Sequence, residues 1–375
     1  MIFDSDAHVE ENSQTFASLE HNDEFSKSMP RVTEGPARAF WWIEGKVFPK
    51  LTGKGVFTFG TPHGPSEGDQ SDRARRTPRK SQEMTDPNAR LKTMDEEGID
   101  VSVIFPTLFL TYPVGEDPML RRALCRSYNQ WMARQCRNSR GRLRWVAALP
   151  LPDVAASVDE LAHASELGAS GFLTLGTAGD MLLDDPRMDP LYGTAERLNM
   201  PMCAHVGWAY PPLTALYDNV FRSQSSAFVL PIFMAFVSIM AGGVLDRFPG
   251  LKVGFFEAGV GWVPYWVDKI ERLHRQPPGG LLKRDLPGKY AHEYIQEGRV
   301  YFSCELDEKR ISEVVKEIGD RCILYASDIP HAHRVFDAVT LFRGRTDIGE
   351  STKERILGKN GECFFARGPV PTPEG

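Results

Sequence analysis

The chain has 375 residues, 42% of them hydrophobic and 25% charged, with a formal net charge of -6. This is ordinary globular composition, and the length suits two modest domains or one large α/β barrel with insertions. The acidic balance argues against nucleic acid or an anionic membrane as the main partner. The six cysteines, Cys125, Cys136, Cys203, Cys304, Cys322 and Cys363, show no C-x-x-C spacing, and Asp4 and Asp6 interrupt any apolar leader. A reduced, cytoplasmic protein is expected.

The chain opens MIFDSDAHVE, a short apolar run with a polar end, read as a buried strand. Residues two apart share a strand face, so Asp6 and His8 point the same way. One carboxylate and one imidazole there are two ligands for a divalent metal. Residues 11–85 then lack periodicity, and Gly and Pro recur among them. A segment this long is expected to be an insertion, a lid or an oligomer arm. Its Trp41, Trp42, Phe48, Phe57 and Phe59 are too apolar to dangle in water. The basic run Arg73, Arg75, Arg76, Arg79 and Lys80 reads as a solvated loop, and His63 as a plain loop or lid histidine.

A helix is expected from Asp86-Pro87 to the stop at Gly98. From there strands and helices alternate. Strands are expected at 102–107, 143–150, 169–176, 200–207, 251–259, 299–304 and 322–328. Helices are expected at 117–137, 155–168 and 189–199, then along an apolar stretch to Phe248, from Gly261, at 307–319 and from near His331. Ala227 to Leu245 approaches membrane-span length, but Pro231 and the Gly242-Gly243 pair interrupt it and strands flank it. It reads as a helix buried on the barrel. With the opening strand, eight strand–helix units close a (β/α)8 TIM barrel, one domain over 1–375. A doubly wound sheet is the runner-up, yet no Gly-rich phosphate loop follows any strand.

In such a barrel the active site lies at the carboxyl ends of the strands. Asp6 and His8 close the first strand, His205 the fifth, Glu257 the sixth and Asp328 the eighth. The two imidazoles and the carboxylates suit a divalent ion: Zn, Mn or Fe. Glu10 lies one strand step past His8. Trp208 and Tyr210 follow His205, Cys304 ends strand seven, and His331 is placed at a helix N-terminus; these are candidates to bind substrate or support the ligands.

These residues carry a resemblance. DSDAHVEE, RLKTMDEEGIDVSVIFPT, SYNQWMARQCRNSRGRLRWVAALPLPD, DPRMDPLYGTAERLNMPMCAHVG, DRFPGLKVGFFEAGVGWVPYWVDKIERL and ILYASDIPH together resemble the amidohydrolase superfamily. The branch is the one that includes aminocarboxymuconate-semialdehyde decarboxylase and related aromatic-acid decarboxylases. The resemblance implies a metal held by Asp6, His8, His205 and Asp328. It departs at Asp6, where His is common, and at Glu257, where the strand-six motif often has His. Glu257 is thus a further ligand, a bridging ligand or a general base, and one or two metals are open.

The expected function is a metal-dependent hydrolase or non-oxidative decarboxylase of a small carboxylated or carbonyl substrate, with Asp328, Glu257 and His205 catalytic. One alternative is a dinuclear iron or iron–manganese oxygenase, which the scaffold allows. The other is a catalytically silent subunit supporting an active homologous partner. A homodimer, or an assembly with a homologous subunit, is expected.

Overall fold

The protein is described by a computed structural model covering residues 1–34, 39–48, 77–331 and 334–366. Its centre is an eight-stranded parallel sheet. The strands are β1 (Phe3–Val9), then, after a small separate sheet, β5 (Val101–Pro106), β6 (Leu143–Ala147), β7 (Gly171–Thr174), β8 (Met202–His205), β9 (Val253–Phe256), β10 (Val300–Glu305) and β11 (Ile323–Ala326), paired in that order. The last strand returns beside the first: Ser327 N and Asp328 N donate to Asp6 O, and His8 N donates to Ile329 O. The barrel is nearly closed, as the eight strand–helix units predict. Strands β5 and β7 are buried along their whole length, which is why they read as apolar runs without polar alternation.

Local signals start and stop the helices. Asp86 caps α1 (Pro87–Glu97) by accepting from Asn88 N, Pro87 opens it, and Gly98 ends it in the left-handed region at φ +72°, a conformation favourable to glycine. Asp117 caps α2 (Pro118–Cys136) and Asp153 caps α3 (Val154–Glu166) in the same way. After these come α4 (Asp189–Arg197), α5 (Leu230–Ala241), α6 (Val263–Arg275), α7 (Ile311–Ile318) and α8 (Ala338–Arg343).

Three expectations need correction. The apolar stretch to Phe248 is not one helix. Short helices at Pro211–Thr214 and Val220–Gln224 precede α5, and Gly243, at φ +70°, separates α5 from Val244–Arg247. A Cβ on Gly242 would fall 2.2 Å from Asp184 Cβ, so the chain turns where only glycine fits. Phe236 of α5 stacks edge-on against Phe255 and Trp262, so the apolar run is core. No described helix is long and apolar enough to cross a membrane. The final helix begins at Ala338, not near His331, because residues 328–331 form a turn closed by His331 N donating to Asp328 O.

The region 11–85 is also more ordered than predicted. It holds a 3₁₀ helix (Ser13–Leu19), α-helical Arg79–Gln82, and an antiparallel sheet of β2 (Arg31–Glu34), β3 (Ala39–Ile43) and β4 (Lys46–Phe48). Trp41 and Phe48 are buried within the chain, and Trp42 is half-exposed. This unit leans on α2: Ser127 Oγ donates to Thr15 O, and the Glu44 carboxylate accepts from the Glu116 and Asp117 amides. Arg79 pairs with Glu83. Phe57, Phe59, His63, Arg73, Arg75 and Arg76 lie outside the described residues. Among the described cysteines all are free thiols, and all but Cys363 are buried.

Candidate metal centre

The barrel gathers the predicted residues at one end. Asp6 and His8 project from β1, His205 ends β8, Glu257 follows β9 and Asp328 follows β11. His8 Nε2 lies 3.4 Å from Asp6 Oδ1, 3.6 Å from Glu257 Oε2 and 3.9 Å from Asp328 Oδ1. His205 Nε2 lies 3.4 Å from both Asp6 Oδ1 and Glu257 Oε2. Two overlapping sets, Asp6–His8–His205 and His8–Glu257–Asp328–His331, each place one ligand atom per residue within 4.8 Å of the others.

Backbone strain marks the two carboxylates that follow strands. Glu257 has φ +59° and Asp328 φ +52°, left-handed values that cost a non-glycine residue on the order of 1–3 kcal/mol. Neighbouring strands hold them there: Glu257 N donates to Ser303 Oγ at 2.8 Å, and Asp328 N to Asp6 O at 3.0 Å.

The imidazoles are oriented from behind. His8 Nδ1 lies 3.3 Å from Pro106 O and His205 Nδ1 lies 2.9 Å from Val206 O. A carbonyl only accepts, so each Nδ1 carries the hydrogen and each Nε2 turns its lone pair inward. Phe105 packs against both rings. Asp6 Oδ1 and Oδ2, His8 Nε2, His205 Nε2 and Glu257 Oε2 are buried without a hydrogen-bond partner. Contacts of 3.4–3.9 Å are too long for hydrogen bonds, but they suit atoms that share an ion about 2.0–2.2 Å from each. The donor set therefore fits a divalent metal.

Electrostatics agree. Burial opposes the Asp6 charge, but His205 and His8 outweigh it and hold that carboxyl below the usual carboxylate range. Burial likewise opposes a charged His8, and Asp6 and Asp328 overcome it, raising its pKa. Glu257 is pushed up to about 8 by burial and then by the Asp328 charge. So many carboxylates together need protons or a cation.

The supporting candidates sort differently. His331 joins the cluster: its Nδ1 lies 2.6 Å from Asp328 Oδ1 and its ring stacks on His8 at 4.2 Å. It does so from a turn, not from the predicted helix N-terminus. Glu10 is buried beside the Arg90 guanidinium. Trp208 is buried on Phe228, its backbone bridged to Thr111, and Tyr210 precedes the helix at Pro211. Cys304 is corrected: side chains alternate along a strand, and its neighbour Glu305 is the one that feels Asp328 and Asp6. Cys304 shares the opposite face with Phe302, whose ring packs against Phe236 and Trp262 outside the strands.

Several residues escaped sequence reading. Asp4 clasps the strand ends, accepting from Ser102 Oγ at 2.6 Å and from Ser327 N and Oγ at 2.9 and 2.7 Å. Buried Arg90 donates to His8 O at 2.8 Å. Glu11 accepts from the Thr107 and Leu108 amides at 3.1 and 2.8 Å, and Thr107 Oγ1 lies 3.0 Å from His331 Nε2. Glu305, pushed up to about 7 by burial and the Asp328 charge, ends β10. The strand-end rule that found Glu257 applies equally to Glu305; nothing local in the sequence marks the others.

A parallel (β/α)8 barrel with carboxylates and imidazoles gathered at the carboxyl ends of its strands defines a class of enzymes that react at that mouth. The sequence matches the amidohydrolase family over residues 5–367, and the chain belongs to that family. It is an enzyme. A curated relative, the gamma-resorcylate decarboxylase of Rhizobium sp. (strain MTP-10005), is 27% identical over 295 residues, covering 73% of this chain and 88% of its own length. Two solved structures share the fold. An amidohydrolase from Mycobacterium avium subsp. paratuberculosis K-10 superposes with a TM-score of 0.78 at 18% identity, covering 98% of each chain. A dihydroxybenzoic acid decarboxylase from Polaromonas sp. JS666, solved with manganese and the inhibitor 2-nitroresorcinol, gives a TM-score of 0.63 at 21% identity, covering 79% of this chain and 90% of that chain.

Proposed function

We propose that this protein is a metal-dependent, non-oxidative decarboxylase of a small hydroxylated aromatic acid. One observation carries the reading: exposure is graded across the cluster. The side chains of His8 and His205 are 0% exposed, Asp6 1%, Asp328 7% and Glu257 18%. The closed residues Asp6, His8, His205 and Asp328 are the proposed ligands, and Glu257 stands on the open side, where a substrate arrives. A divalent ion bound there would supply positive charge for the carboxylate and a neighbouring hydroxyl of the substrate. Glu257 in its protonated form would place a hydrogen on the ring carbon as the bond to the departing carbon dioxide breaks, leaving its own carboxylate behind. Asp328, braced by His331, would hold its face of the site against displacement.

The relationship to gamma-resorcylate decarboxylase supports this reaction over hydrolysis. The test is direct: purified protein with manganese, zinc or iron is offered 2,6-dihydroxybenzoate and other hydroxybenzoates, with lactones and amides in parallel. Carbon dioxide release with deuterium from solvent entering the ring is expected. Hydrolysis without carbon dioxide release overturns the proposal.

The two overlapping ligand sets favour a second reading, a dinuclear site serving oxygenation. Two irons per chain and oxygen uptake would select it; one ion per chain removes it. We take residues 1–375 as one domain and the 11–85 insertion as a cover for the mouth or an arm for self-association.

A further inference from the structure

We propose that a cavity on the barrel rim, between the first turns of α2 and the loops after β6 and β7, is a binding site for a short monocarboxylate, separate from the metal centre. Its polar lining includes Arg121, Thr111, Thr174, Tyr112 and Thr177, the last already donating to Ala209 O; Phe109, Leu173 and Leu175 form apolar wall. Arg121 Nε, Thr111 Oγ1 and Thr174 Oγ1 are buried without a hydrogen-bond partner, and the two threonines are only 8% and 1% exposed. Three donors and one positive charge thus meet in one space. A buried donor left unsatisfied costs about 1–3 kcal/mol, so an acceptor-rich guest completes the site.

The guanidinium is fixed in advance. Arg121 Nη1 donates to Gly115 O at 3.1 Å and Glu116 O at 2.9 Å, while Nε of this lining residue has no hydrogen-bond partner. Among the described residues, no carboxylate lines the cavity. Asp153 lies within electrostatic reach of Arg121, but it pairs with Arg122 and caps α3 at Ala156 N. The Cys125 thiol in the wall is pushed well up by burial and stays neutral.

The volume is about 60 Å³, several times what one water needs and too little for a substituted ring. An acid of two to four carbons fits, its carboxylate toward Arg121 and the threonines. The strand residue Thr174 comes from β7, whereas the metal ligands come from β1, β8, β9 and β11. None of the lining residues belongs to the metal cluster, so the proposal does not rest on the decarboxylase reading.

The experiment is calorimetric titration of the metal-loaded protein with sodium butanoate and with butan-1-ol. Saturable butanoate binding in the millimolar range is expected, as suits a ligand of six heavy atoms, with the alcohol at least about tenfold weaker. Arg121→Leu and the near-isosteric Thr174→Val should each weaken butanoate about tenfold or more. Should Arg121→Leu lose its far-UV circular dichroism, Thr174→Val decides alone. His205→Ala should bind butanoate as the parent does. No saturable binding (water alone in the cavity), equal binding of the alcohol, or binding lost in His205→Ala but kept in Thr174→Val overturns the proposal.

Discussion

His331 Nδ1 lies 2.6 Å from Asp328 Oδ1 while its other ring nitrogen lies 3.0 Å from the Thr107 hydroxyl. A histidine anchored at both nitrogens fixes the carboxylate it touches. Its backing continues through Thr107, whose amide is held by Glu11. His331→Phe keeps a ring against His8 and removes both polar contacts. Turnover should fall about 10- to 100-fold, the range for partners that orient ligands, with Thr107→Val lower in the same direction by less. Unchanged turnover in both variants would show that Asp328 holds its position unaided.

Metal content should follow the two imidazoles. His8→Ala and His205→Ala should each lose bound ion and activity while keeping the parent's far-UV circular dichroism. Stripping the ion with a chelator should lower the melting temperature of the parent, because ion at 100 times its Kd adds about 2.7 kcal/mol to stability. Full metal occupancy by elemental analysis in either variant would refute the ligand assignment.

Glu257→Gln separates ligand from acid. As an acid on the open side, its loss should leave metal content intact and collapse turnover. As a ligand, its loss should weaken metal affinity about 10-fold or more. Parental metal content together with parental turnover would remove Glu257 from the chemistry altogether.

Glu11 gives a pH prediction. Burial pushes its carboxyl up to about 8 from an ordinary value of 4.5. Between those values the folded state binds more proton than the unfolded state, so its contribution to stability falls as pH rises. The slope in that window approaches about 1.4 kcal/mol per pH unit at most. Glu11→Gln should flatten the decline of stability from pH 5 to 8 in urea titrations; a slope identical to the parent's contradicts a buried, protonated Glu11.

Glu305 and Cys304 form a paired test on one strand. Cys304→Ala should leave KM and kcat near parental values, since its side chain faces away from the mouth. Glu305→Gln should alter KM or kcat, because its carboxylate feels Asp328 and Asp6. The reverse pattern would mean that β10 presents its other face.

The sequence by itself determined the barrel and most of its centre. Fully buried parallel strands must be apolar, so a lone Asp, His or Glu ending one is visible, and the residues this rule marks, Asp6, His8, His205, Glu257 and Asp328, lie together at one end of the barrel. Capping residues and glycines fixed the starts and stops of the first helices for equally local reasons. Helix continuity past Gly242 and the start of the last helix depended on close approaches, such as Asp184 to Gly242, that no window of sequence contains. Only the tertiary structure decided which face of β10 meets the site, since period-two alternation leaves the choice between Cys304 and Glu305 to the register of the closed barrel. It alone showed Asp4 joining Ser102 to Ser327, Arg90 reaching His8, and Glu11 steadying Thr107 beneath His331. Those contacts join residues far apart in the chain, where a polar side chain is satisfied by whatever the fold brings to it rather than by its neighbours in sequence.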